Sequence, residues 1–174
     1  MGRLRHHHRE RPLSDAPGKY CPTGERQYRN GFSVGRREMS VNIPEGYEAE
    51  PGDNAFAALV GPIFQKREGD AIKFLFQAEE KHRNPRGVVH GGMLMTFMDN
   101  LLAHTIVHVI GDVKKATMSL SCDFVGPAYP GQRMEGWGEV TRATRSVVFA
   151  QGSITADGAQ VVTGSGVWKL LGRG

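Results

Sequence analysis

The sequence predicts an α+β domain in which an antiparallel sheet of five or six strands wraps around one long apolar helix. Three observations predict it. From about Gly91 to Ile110 the chain carries Met93, Leu94, Met95, Phe97, Met98, Leu101 and Leu102, unbranched apolar residues and helix formers with few turn formers among them. Four segments follow in which apolar and polar residues alternate, the pattern of half-buried strands. Between the last two stands Asp157-Gly158, a pair suited to a tight hairpin turn.

The elements read in order as follows. Asn54 to Val60 (NAFAALV) is a short helix behind an Asp53-Asn54 cap signal. Ile63 to Gln65 is a short strand. Lys73 to Glu79 alternates, with Ile72, Phe74, Phe76 and Ala78 on one face. A polar loop with Asn84 and Pro85 leads into the long helix, which Gly111-Asp112 ends. From Thr117 to Val125, Met118, Leu120, Cys122 and Phe124 alternate with Thr117, Ser119, Ser121 and Asp123. Arg133 to Arg142, Ser146 to Ala156 and Gln160 to Leu170 complete the sheet. A helix apolar nearly all round has to be covered on every side. One curved sheet covers part of it, so a second copy of the domain is the expected cover for the rest, making at least a homodimer.

Composition sets the bounds. At 174 residues the prior is one domain with a real core. The formal charge of +4 is unevenly placed. Residues 1–38 hold nine Lys or Arg against four acids, so this stretch is basic and the remainder is close to neutral. The stretch is Gly/Arg/Pro-rich with little periodicity and reads as a disordered extension or a non-native leader, with the domain at 39–174. Met39 is an alternative natural start, and His6-His7-His8 is a short histidine run. A basic arm for nucleic acid or anionic lipid is the functional alternative, but no aromatic interleaving or RNA-binding signature supports it. Cys21 and Cys122 imply no disulfide framework, so a reducing compartment is the default and a cytoplasmic location is expected. No signal peptide pattern opens the chain. The long helix invites a membrane-span reading, which Asp99, Asn100, His104 and His108 argue against.

The segment from Asn84 to Asn100, NPRGVVHGGMLMTFMDN, concentrates the chemistry. Gly91 and Gly92 break the preceding extended segment, and the helix opens near His90. A helix start leaves backbone N–H groups unpaired and carries the positive end of the dipole, so it suits a developing negative charge. Asp99 lies about two turns further in, where a buried carboxylate is costly unless paired or used. This is the outline of an acyl-transfer site.

Asn84, the His90-Gly91-Gly92 turn six residues later and the Asp99-Asn100 pair nine after His90 resemble the signature of hot-dog-fold acyl-CoA thioesterases, in particular the phenylacetate-pathway (PaaI-type) and thioesterase-superfamily-member groups. The resemblance covers roughly residues 50–171, and the spacing of the three parts is its specific element. It implies the hot-dog fold, a central helix wrapped by the sheet, and an assembly of dimers or pairs of dimers with the active site shared between two chains. It further implies Asn84 and Gly91 of one chain facing Asp99 of the other, an acyl-CoA substrate, and neither metal nor organic cofactor.

The resemblance also assigns roles. The tetrahedral intermediate of thioester hydrolysis develops an oxyanion, and a preorganised donor there is worth roughly 3–4 kcal/mol. The Gly91 N–H is the first donor; the Asn84 amide is a second, or positions the water. Asp99 acts as general base on a water or attacks the carbonyl itself. Aligning on Gly126-Pro127-Ala128 places Thr117 where relatives carry a Ser or Thr that orients the carboxylate or water. Its strand parity, on the polar face, ranks it below the others. His90 belongs to the turn, its ring bonded to backbone rather than moving protons. Arg142 and Arg145 border the turn before Ser146, where basic residues can meet the CoA phosphates; a solvated hairpin turn is the plain alternative.

Other constellations carry less. His104, His108 and Asp112 share a helix face, but the Glu of an HExxH motif is missing, so a polar stripe near an interface is expected there rather than a metal. No GxSxG elbow, P-loop or GxGxxG exists in the chain. Met93, Met95 and Met98 are read as core residues, or as a flexible lining of an acyl tunnel. The alternative function is a non-catalytic hot-dog module that binds acyl-CoA for regulation or assembly. A hot-dog dehydratase would need a different, His-centred motif.

Overall fold

The computed structural model describes residues 43–50, 55–69 and 71–171. The basic 1–38 segment and the Asp53-Asn54 cap signal lie outside the described residues. The elements are β1 (Glu48–Ala49), α1 (Ala55–Val60), β2 (Ile63–Glu68), β3 (Ala71–Gln77), a 3₁₀ turn at Glu80–His82, α2 (Gly91–Ile110), β4 (Lys115–Phe124), β5 (Arg133–Ala143), β6 (Val147–Ala156) and β7 (Ala159–Leu170). The strands form one antiparallel sheet of seven in the order β1-β2-β3-β5-β6-β7-β4. The sheet lies against α2 in the hot-dog arrangement. Its count exceeds the expected five or six because the two residues of β1 pair with Phe64 and Gln65.

The boundaries of α2 follow from its ends. His90 is extended and caps the helix, and Gly111, at φ 89°, closes it with its N–H on the Val107 carbonyl at 2.9 Å. Strand β2 runs three residues beyond the expected Gln65, because Lys66, Arg67 and Glu68 keep pairing with β3 even where their side chains reach solvent. Asp157 and Gly158 both take positive φ, the geometry the β6–β7 turn requires.

A row of glycines lets α2 come close to the sheet. Gly138 pairs with Gly152, which pairs with Gly164 on the next strand. A Cβ on Gly138 or Gly164 would fall within 3 Å of Leu102 or Met98, and one on Gly152 would stand 2.5 Å from the Trp137 carbonyl oxygen. The space belongs to the helix. Phe97, Met98, Leu101, Leu102 and Ile106 are fully buried in it, against Phe74, Phe76, Met134, Val148 and Ile154. By length and hydropathy α2 passes for a membrane span, but these apolar residues are packed against the sheet.

Strand β4 departs from the simple alternation. Thr117 pairs with Trp168 and Ser119 with Val167, so Met118 is an extra residue, a β-bulge. The bulge reverses the parity of everything before it. Thr117 lies beside buried Trp168 on the helix side, and Leu120 and Cys122, beyond the bulge, lie on that side too, next to Gly166 and Gly164. Met118, expected to face inward, is instead exposed.

Candidate active site

Two groups of residues are built along α2, one at its start and one about two turns in. At the start, the His90 backbone N–H donates to the His82 carbonyl at 2.7 Å and the Val89 N–H to the Ala128 carbonyl at 2.7 Å, which fixes where the helix begins. The His90 ring Nδ1 accepts the Gly92 N–H at 2.9 Å. The N–H groups of Met93 and Leu94 go to the His90 carbonyl. That leaves the Gly91 N–H without a partner among the described residues. The Phe124 ring lies 3.4 Å from where a Gly91 Cβ would stand, so it borders this donor. Phe124 was legible in the sequence only as an apolar strand residue.

Asn84 stands in the loop before α2. Its side-chain Oδ1 accepts the Arg86 N–H at 2.8 Å, while its backbone bonds Val88 and Gly87. With Oδ1 held in that way, the amide Nδ2 has no partner among the described residues.

Further along, Asp99 is half-buried, and its Oδ1 accepts the Thr117 hydroxyl at 3.0 Å. The bulge at Met118 resolves the parity objection to Thr117, because it turns Thr117 toward the helix. Two neighbours register the carboxylate. Burial lowers the Lys115 ammonium below its ordinary value while Asp112 and Asp99 oppose the shift. Burial raises the Cys122 thiol, and the charges of Asp123 and Asp99 add to it. Asp99 also lines a cavity of about 310 Å³ between α1 and α2, with Phe56, Val60, Met95 and Asn100 in its wall. Met93 and Met98 are core residues, whereas Met95 belongs to this wall.

The two groups do not meet within one chain. Eight residues of helix separate Gly91 from Asp99, about 12 Å along the axis, too far for a single carbonyl to touch both. Arg142 and Arg145 are exposed at the β5–β6 turn. Leu170, the partner of Lys115, bonds Ser146 next to that turn, so the two arginines stand at the Lys115 end of β4, close in sequence to Thr117. The His104, His108 and Asp112 stripe forms no metal site, and none occurs among the described residues. His104 instead faces Glu50 at 3.7 Å and the Phe74 ring. Glu50, which also binds Asn100, was not singled out from the sequence. Its partners are 50 or more residues away, and only the i, i+4 spacing of Asn100 and His104 hinted at a shared contact.

Residues 86–163 match the thioesterase superfamily. Those residues, from the loop before α2 into β7, are the thioesterase-superfamily part of the chain. Over 132 residues it is 27% identical to a Pseudomonas aeruginosa protein named as an esterase, a match that covers 75% of this chain and 98% of that one. A phenylacetic acid degradation-related protein of Ralstonia eutropha JMP134, named as a thioesterase, superposes with a TM-score of 0.60 at 26% identity, covering 68% of this chain and 92% of that one. A Bacillus halodurans protein solved with CoA shares the fold, with a TM-score of 0.64 at 18% identity over 71% of this chain and 82% of that one. The domain is that of a thioester hydrolase.

Proposed function

We propose that this thioesterase cleaves the CoA thioester of a small aromatic or medium-chain acyl group, in a site completed by a second copy of the chain. The observation that carries the reading is the Gly91 N–H at the start of α2, which like the Asn84 amide Nδ2 has no partner among the described residues, on a helix that also holds the Thr117-bound carboxylate of Asp99. CoA as the leaving group is supported by two structural neighbours solved with it, the Bacillus halodurans protein and a Streptococcus pneumoniae protein.

In the proposed reaction Asp99 acts as general base. The Thr117 hydroxyl occupies Oδ1, which leaves Oδ2 to take a proton from water. The water oxygen bonds to the thioester carbon, and the carbonyl electron pair moves onto oxygen. The Gly91 N–H and Asn84 Nδ2 of the facing chain receive that oxyanion. Collapse breaks the C–S bond, and the departing sulfur takes the proton back from Asp99. Arg142 and Arg145 meet the CoA phosphates, a pairing suited to exposed guanidinium groups with no ion-pair partner among the described residues.

The test is free-thiol release from a panel of acyl-CoA esters, wild type beside Asp99→Asn. Asn keeps the volume and removes the charge. The expected result is activity in the wild type and a folded variant slower by about 10²–10⁴. A wild type that binds the esters but releases no thiol would make the protein a binding module. Full activity in Asp99→Asn would remove Asp99 from the chemistry.

A further inference from the structure

A second carboxylate lies behind the Asp99 cavity. Glu50 follows β1, with its backbone N–H on the Ile63 carbonyl at 2.9 Å and its side chain only 10% exposed. Its Oε2 accepts from Asn100 Nδ2 at 2.7 Å. Its Oε1 is sealed from solvent without a hydrogen bond, 3.7 Å from His104 Nε2. An ionised carboxylate only accepts hydrogen bonds, so it dictates which end of the Asn100 amide faces it. The NH₂ end points to Glu50, and Oδ1 points away. Asn100 also lines the Asp99 cavity, whose other walls are largely apolar.

We infer that Asn100 Oδ1 holds the hydrolytic water jointly with Asp99, and that Glu50 is the positioning residue that fixes the Asn100 amide. The inference rests on the reading of Asp99 as general base. Water gives one hydrogen to Asp99 Oδ2 and the other to Asn100 Oδ1, and a lone pair is left aimed at the thioester carbon. The first proton passes to Asp99 as the C–O bond forms. The second remains on the new oxygen and leaves with the carboxylic acid. Asn100 itself gains and loses no proton.

Methanol separates this role from a structural one. It has a single hydroxyl hydrogen, which Asp99 takes, so Asn100 favours water over methanol as the attacking group. The experiment measures the ratio of methyl ester to acid formed from one acyl-CoA in dilute methanol, together with kcat and KM. The variants are Glu50→Gln, which keeps the volume, and the double variant Glu50→Leu/Asn100→Leu, which leaves no carboxylate stranded. The expected result is a ratio raised about two- to threefold in Glu50→Gln and five- to tenfold in the double variant, with kcat for hydrolysis falling and KM steady. An unchanged ratio and kcat in folded Glu50→Gln would overturn the inference. So would a loss confined to KM, which would make Asn100 a binding group. A dead Asp99→Asn beside an unmoved ratio would sink this inference alone, whereas a fully active Asp99→Asn would sink both.

Discussion

Thr117 reaches Asp99 because Met118 is an extra residue in β4. Without the bulge, Thr117 would share a face with Ser119 and Ser121 and point away from the helix. The hydroxyl donates to a carboxylate, a charge-assisted bond that orients the proposed base. Thr117→Val keeps the shape and removes the donor. We expect kcat to fall roughly three- to tenfold with KM unchanged, and Thr117→Ser to retain most of the rate. Steady-state kinetics on the three proteins decides it, and a Val variant at wild-type kcat would leave Thr117 as packing only. The sequence showed a Thr at the aligned position and a parity that contradicted it. A bulge has no reliable signature in a strand whose alternation looks regular, so only the register against β7 resolves the contradiction. Asn84, His90 and Gly91 were legible because their roles follow from local backbone chemistry at a helix start. Glu50 was not, because its contacts join segments that only the folded sheet brings together.

At the scale of elements, α1 depends on its neighbours. Six residues are too few for a helix to persist alone, and α1 forms one wall of the Asp99 cavity. Two bonds hold its end. His82 Nε2 donates to the Val60 carbonyl at 2.8 Å, and Lys81 Nζ to the Gly61 carbonyl at 2.6 Å. The other His82 nitrogen, Nδ1, accepts the Glu79 N–H at 2.9 Å, which assigns the ring as neutral with its proton on Nε2. Burial pushes the His82 pKa below its ordinary value, against the Val60 bond that raises it. A folded-state pKa depressed below the unfolded one means that the unfolded chain binds the proton first as pH falls. Stability from His82 is therefore present above about pH 6.5 and is lost as pH drops toward the folded value. Thermal unfolding between neutral and mildly acid pH should show Tm declining on that descent, less steeply in His82→Asn than in wild type. Equal slopes would mean that His82 carries none of the pH dependence. The sequence marked α1, α2 and six of the seven strands, because glycine ends and regular periods are local signals. The length of β2 and the presence of β1 depend on pairing partners, which are not.

For the whole molecule, the proposed reaction has to bring Gly91 and Asp99 to one carbonyl although about 12 Å of helix separates them. The proposed two-fold pairing of copies would do so, because each copy would then give its helix start to one site and its carboxylate to the other. Exposed Met118, Phe124 and Val125 along edge strand β4 offer an apolar surface for such a pairing. The arrangement predicts complementation between two inactive variants. Gly91→Pro removes the proposed oxyanion donor at a position where proline suits the first turn of a helix, and His90 already holds the extended backbone proline requires before it. Asp99→Asn removes the base. Each variant alone should be nearly inactive. In a mixed dimer, the chain with the Asp99→Asn change still supplies its Gly91 N–H and the other chain still supplies Asp99, so one of the two sites is whole. Random exchange of subunits should therefore restore about a quarter of the wild-type rate, since half of the dimers are mixed and each carries one working site. The measurement is thiol release after the two variants are refolded together, beside each refolded alone. If both groups acted within a single chain, mixing would recover nothing, because every chain in the mixture lacks one of them.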